Sequence, residues 1–341
     1  MGLLYNLKDQ YKTLSIVGMA KNAGKTTALN YIVEEAMDEG LFLGITSTGR
    51  DGETSDLVTN TEKPKVYLDT GTIVTVPVQL YELAETGLEI LRRTKYSTTM
   101  GDLLLCRVAE SGYVQIAGPV STADQKRLCA EIEAMGTDMI LIDGAIDRKS
   151  IASPETSDAI ILATGAVLSR SIKKVVEETV HIVNLYGMEI LEEGPARDMI
   201  SREASGADRI MLVNNRQEAR FLDLKTGLGA GRFLDEAIDE SITHVYLPGA
   251  LTQSVIADIN PAKLKGFTLV MKDPTKIFIG AIPWQQLKKK GFRAQTLKNI
   301  TVAAITVNPY SPAGYSFDHN ELKEAMEKAV PAIPVVDVRL G

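Results

Sequence analysis

Nine residues, Gly18-Met19-Ala20-Lys21-Asn22-Ala23-Gly24-Lys25-Thr26, bring two glycines, a lysine and a hydroxyl together at the spacing G-x-x-x-x-G-K-[ST]. This is the P-loop pattern, and its chemistry is the cradling of a polyphosphate. Glycines let the backbone curl so that successive N–H groups face one centre, and a helix beginning there points its positive end at the same place. Lys25 then meets the β and γ phosphates as a point charge, while the Thr26 hydroxyl ligates Mg²⁺. The expected phosphate contacts are Gly18, Lys21, Asn22, Ala23, Gly24, Lys25, Thr26 and Thr27.

Carboxylates are the second requirement. In Met139-Ile140-Leu141-Ile142-Asp143, four apolar residues end in an acid, the Walker B pattern, in which a buried strand delivers one carboxylate to the metal. Asp147 follows closely enough to orient water, and Arg148 to contact phosphate or close an ion pair. The polar stretch Thr46-Ser47-Thr48-Gly49-Arg50-Asp51-Gly52-Glu53 follows another apolar run. There Asp51 or Glu53 would hold Mg²⁺ through water or orient the attacking water, and Arg50 would offset charge on the transferred group. A plain solvated turn is the alternative. The chain lacks an Asn-Lys-x-Asp element for guanine, whereas Asn214 and Asn308 stand at strand ends where an amide can meet adenine. ATP with Mg²⁺ is therefore the expected ligand.

These residues need elements to hold them. Leu14–Val17 reads as a buried strand before the loop, and Leu29, Ile32, Val33, Ala36 and Met37 form one helix face after it, with Gly40 as the stop. Leu41–Ile45 reads as a second strand. Between about 57 and 120 the pattern is strand-rich, with Val66–Leu68, Thr72–Val76 and parts of Leu103–Ile116 as strands and Leu80–Arg93 helix-like, forming a subsheet or extending the main one. Ser121 with Asp124 starts a helix in the manner of a capping box. Asp158–Ala163 is a further buried strand leading to a helix with Ile172, Val176, Thr179 and Val183 on one face. Residues 188–206 read as a connection. Beyond them, strand-like runs alternate with helical ones, and Asp318 with Glu321 marks another helix start. The expected fold is α/β: a P-loop NTPase with a mostly parallel sheet flanked by helices over 1–190, and a second α/β domain over 191–341.

Composition sets the outer bounds. The 341 residues are 45% hydrophobic and 24% charged, and the net charge is −7. This is an ordinary globular balance and argues against a broadly basic surface for nucleic acid. Cys106 and Cys129 are the only cysteines and have no metal-like spacing; the three histidines are scattered. A zinc site and a disulfide framework are not expected. No apolar run reaches the roughly 18 residues of a membrane span. The expectation is a cytoplasmic protein with no nucleic-acid or membrane partner, and self-association is left open.

Gly18–Thr27 resembles the P-loop of molybdopterin-guanine-dinucleotide accessory proteins and, more broadly, of the signal-recognition and dethiobiotin-synthetase class. It departs from many of that class at Met19, where they carry a second lysine used in a dimer mechanism. Together with Thr46–Glu53, Ile142–Arg148 and Thr306-Val307-Asn308-Pro309, the chain resembles the P-loop subunit of lysine 5,6-aminomutase reactivases over nearly its whole length. The resemblance implies a chaperone-like ATPase that works with a second ATPase subunit to release damaged cobalamin from an adenosylcobalamin-dependent aminomutase. An ATP-dependent small-molecule kinase or ligase and a non-hydrolysing nucleotide switch are the alternative readings.

Overall fold

Apolar runs without alternation become interior strands, because a parallel sheet is covered on both faces. The computed structural model describes residues 2–48, 65–98, 100–144, 156–206, 209–222 and 230–340. Two compact units divide the chain: Met1–Thr179 with Thr301–Gly341, and Val180–Ile300.

The first unit opens with β1 (Thr13–Gly18), α1 (Lys25–Asp38) and β2 (Leu43–Ser47). Leu29, Ile32, Val33 and Ala36 are buried, as the spacing on α1 requires. There follow β3 (Val66–Leu68), β4 (Ile73–Pro77), the single turn α2 (Val78–Tyr81), β5 (Leu88–Thr98), β6 (Gly101–Val108) and β7 (Gly112–Val114). In the described part of the 57–120 region both of the open alternatives occur: β3 and β7 pair in a small antiparallel sheet, while β4, β6 and β5 extend the main one. The helix expected over Leu80–Arg93 is corrected to one turn and an edge strand. Gly87 interrupts the run, and the long apolar β6 offers antiparallel pairing along β5, so tertiary pairing overrides local periodicity.

Then come α3 (Thr122–Glu133), β8 (Met139–Asp143), β9 (Ala159–Gly165) and α4 (Ile172–Tyr186), which belongs to this unit as far as Thr179. Ser121 caps α3 by accepting the Asp124 N–H. The unit is completed from the end of the chain by β17 (Val302–Asn308), β18 (Tyr310–Ser311), β19 (Tyr315–Ser316), α9 (His319–Ala329) and β20 (Val335–Asp337). The central sheet runs β20-β17-β9-β1-β8-β2-β4-β6-β5. Its strands from β20 to β4 are mutually parallel, and β6 reverses direction at the far side. It is a mixed α/β unit with a large, mostly parallel sheet flanked by helices.

The second unit holds α5 (Pro195–Ser205), β10 (Ile210–Asn214), β11 (Ala219–Leu222), α6 (Ala230–Ala237), β12 (Ile242–Tyr246), β13 (Leu251–Thr252), α7 (Gln253–Ala257), β14 (Thr268–Met271), β15 (Ile277–Phe278), α8 (Ala281–Lys289) and β16 (Arg293–Thr296). Its main sheet runs β11-β10-β12-β14-β16. One face packs Met211, Val213, Tyr246 and Val270 with Ile200 of α5, and the other packs Leu212, Val245 and Leu269 with Leu234, Val255 and Trp284.

Two expectations change here. Residues 188–206 are no mere connection, since Pro195 opens α5 and Ala196, Ile200 and Ala204 bury its face. A single boundary near 190 is replaced by an insertion, because Ile305 pairs with both Leu162 of β9 and Val335 of β20, which returns the last segment to the first sheet. Cys106 and Cys129 are buried, and desolvation pushes their thiols up to about 12 and about 11. Among the described residues no helix is long and apolar enough to cross a membrane.

Candidate functional site

Parallel strands deliver their carboxyl ends to one edge of a sheet, so sequence-distant residues meet there. In open α/β sheets, that edge holds ligands where the strand order reverses. Here the chain passes from β1 to β2, returns to β8 beside β1, and crosses to β9 on its other side. The loop after β1 thus lies between the ends of β8 and β9. Its register is fixed on both sides: Met19 N–H donates to the Ala163 carbonyl at 2.9 Å, and Gly144 N–H to the Ile16 carbonyl at 3.0 Å.

Within the loop, positive φ values fall at Asn22 (64°) and Gly24 (97°), on either side of buried Ala23. Alternating hand of this kind turns neighbouring amides inward. Gly18 has another purpose: a Cβ there would stand 2.8 Å from Lys25 Cγ, so the lysine stem crosses the glycine. The motif pattern assigns the curl to the glycines; Asn22 supplies half of it. Gly24 caps α1 with no side-chain acceptor, and the first-turn amides of a helix lack intrahelical carbonyls. Those of Lys25, Thr26 and Thr27 therefore suit an anion.

Lys25 Nζ donates to the Gly144 carbonyl, one residue beyond Asp143. The expected lysine and carboxylate are thus brought to neighbouring positions. Asp143 is half-buried at the end of β8, opposite Ile16 of β1 on one side and Ser47 of β2 on the other. Its carbonyl accepts the Thr48 N–H at 3.0 Å and the Ser47 and Thr48 hydroxyls at 3.2 and 3.3 Å. These two hydroxyls, which in the sequence look like ordinary loop polarity, tie the ends of β2 and β8 together.

Asn308 also reaches the loop. It ends β17 opposite Gly165, its Oδ1 accepts the Tyr310 N–H at 3.1 Å, and a Cβ on Gly24 would lie 3.1 Å from its own Cβ. Asn214 is different: its Oδ1 accepts the Arg216 and Glu218 amides and its Nδ2 donates to Glu218, so it builds the β10–β11 hairpin of the second unit. Its amide serves that turn, whereas the sequence reading places it at a nucleobase. Arg50, Asp51, Glu53, Asp147 and Arg148 lie outside the described residues.

A hydroxyl chain behind the loop has no counterpart among the sequence motifs. The Thr179 hydroxyl of α4 lies 2.8 Å from the Val175 carbonyl, 2.8 Å from the Thr164 hydroxyl of β9 and 3.3 Å from Met19 Sδ. Met19 thus packs inward. The one sequence signal for this chain is Thr179 itself, a polar residue on an otherwise apolar helix face.

Thr26 and Asp143 are the described residues suited to Mg²⁺. Among the described residues no group of three or more His, Cys, Asp or Glu could hold a metal. A hydroxyl and a single carboxylate fit a Mg²⁺ that keeps waters and phosphate oxygens, unlike an all-protein cage. No protein family, curated protein or solved structure matches the chain.

Proposed function

We propose that the protein binds ATP with Mg²⁺ at the Gly18–Thr27 loop and hydrolyses it, as a P-loop NTPase. The observation that carries the reading is the junction of Lys25 with the end of β8: two motifs more than a hundred residues apart meet at one sheet edge. Lys25 and the first-turn amides of α1 hold the phosphates, and Thr26 and Asp143 hold the metal. Mg²⁺ would offset charge on the phosphate oxygens as the terminal group departs. Asn308 flanks the cradle as a candidate for the base. Asp51, Glu53 and Asp147 remain the sequence candidates for orienting water.

The resemblance to aminomutase reactivases supports the wider proposal, in which hydrolysis changes contacts with a second ATPase subunit and an adenosylcobalamin-dependent aminomutase.

Phosphate release by purified protein, with and without an aminomutase, tests both levels. Asp143→Asn should keep ATP affinity and lose turnover by roughly 10²-fold or more, while Lys25→Ala should lose both. Full turnover by Lys25→Ala contradicts the site. Turnover that ignores the aminomutase but requires one metabolite replaces the reactivase role with that of a kinase or ligase.

A further inference from the structure

Three side chains at the β17–β20 side of the sheet form a relay that the nucleotide reading does not use. Val307 of β17 pairs with Asp337 of β20, so the chain leaving β17 through Asn308 and Pro309 starts beside Asp337. Tyr310 follows at once, and His319, the first residue of α9, lies against both. His319 Nδ1 stands 2.7 Å from Asp337 Oδ2, and His319 Nε2 stands 3.1 Å from the Tyr310 hydroxyl. Asp337 Oδ1 meanwhile accepts the Arg339 N–H at 2.9 Å.

A carboxylate only accepts, so the proton between Asp337 and His319 sits on Nδ1. In the neutral imidazole Nε2 is then the acceptor, and the Tyr310 O–H donates to it. The order of exposure follows the order of the relay: the Asp337 side chain is 2% exposed, the His319 side chain 23%, and Tyr310 47%. Here the buried acid orients a half-buried base, and the base faces a surface hydroxyl that a substrate can reach. Nucleophile, base and orienting acid within hydrogen-bond reach are the signature of an activated nucleophile. The Arg339 guanidinium lies over the Tyr310 ring, 5.8 Å from its centroid, and places a cation near the phenol for a negatively charged electrophile.

We propose that Tyr310 is a nucleophile that accepts a phosphoryl group from a phosphoanhydride, with His319 as general base and Asp337 as its positioning residue. Tyr310 Oη forms the new bond to phosphorus as the bridging P–O bond of the donor breaks, and the remainder of the donor leaves as an anion. The phenolic proton passes to His319 Nε2, and the imidazolium is held by Asp337. The proposal uses neither Lys25, Asp143 nor the loop amides, although the Tyr310 N–H donates to Asn308 Oδ1 beside that loop.

Diisopropyl fluorophosphate probes this directly: the P–F bond breaks, fluoride leaves, and adducts are located by peptide mass spectrometry on the intact protein after digestion. Tyr67 and Tyr113 are internal controls, being 41% and 47% exposed with only each other as ring partner among the described residues. Tyr310 should be modified roughly 10²-fold faster than Tyr113. His319→Gln and Asp337→Asn should bring its rate down to that of Tyr113, leaving the Tyr67 and Tyr113 rates unchanged as the sign of a folded protein. Equal rates for Tyr310 and Tyr113 in the unmodified sequence, or a Tyr310 rate unaffected by His319→Gln, would overturn the proposal and leave a structural hydrogen bond.

Discussion

Lys25 is positioned by absences as much as by contacts. Gly18 leaves room for its stem, and Gly24 leaves room for Asn308 while holding a left-handed φ. A side chain at Gly24 meets both obstacles. The left-handed conformation alone costs an L-residue about 1–2 kcal/mol, and Asn308 must also yield. Gly24→Ala should therefore lower unfolding free energy by about 1–2 kcal/mol in urea titration and weaken ATP binding as well. An unchanged urea midpoint would show that the loop relaxes around the methyl group. The motif residues stand out in the sequence because the proposed phosphate chemistry would fix their spacing. Asn22 does not, since a left-handed asparagine leaves no mark in composition, and neither does the relay of Tyr310, His319 and Asp337, whose members lie on three elements. Asn214 shows the converse ambiguity: a strand-end amide is also what a tight hairpin uses.

Elements follow the same logic one level up. Ser121 accepts the Asp124 N–H at 3.1 Å, and its own hydroxyl lies 2.8 Å from the Asp124 carboxylate. Losing this cap should cost about 1 kcal/mol, so Ser121→Ala should lower the urea midpoint with the slope unchanged. No change at all would mean that the buried face of α3, not its cap, sets its stability. Caps and long apolar runs make α1, α3, α9, β1, β8 and β9 legible in the amino-acid sequence alone. The region over Leu80–Arg93 is not legible, because leucines spaced by three to five residues suit a helix face or a bulged edge strand equally. Only the partner strand β6 decides between them. The segment before β10 misleads because Glu, Gly and Pro suggest a loop, yet Gly194-Pro195 is how a helix begins.

At the scale of the whole molecule, the first sheet is built from both ends of the chain around the inserted second unit. Such closure is invisible to periodicity, since β17 looks like any buried strand until β9 accepts it. The last segment contributes β17, α9 and β20, and covers the β9 edge of the sheet. A chain stopped after Ile300 should therefore lose cooperative unfolding of the first unit, seen as loss of a sharp urea transition and as aggregation through the uncovered strand. A truncated chain that still unfolds cooperatively and binds ATP would contradict that role. The proposed nucleotide site would depend on this closure, because Asn308 arrives at Gly24 only through β17.

The most direct test is calorimetric titration of ATP with Mg²⁺ into the intact protein and its Lys25→Ala variant. Saturable one-site binding is expected, weakened at least about tenfold, or about 1.4 kcal/mol, by the substitution. Equal affinity in the two proteins, or no binding to the unaltered chain, would contradict a phosphate cradle at Gly18–Thr27.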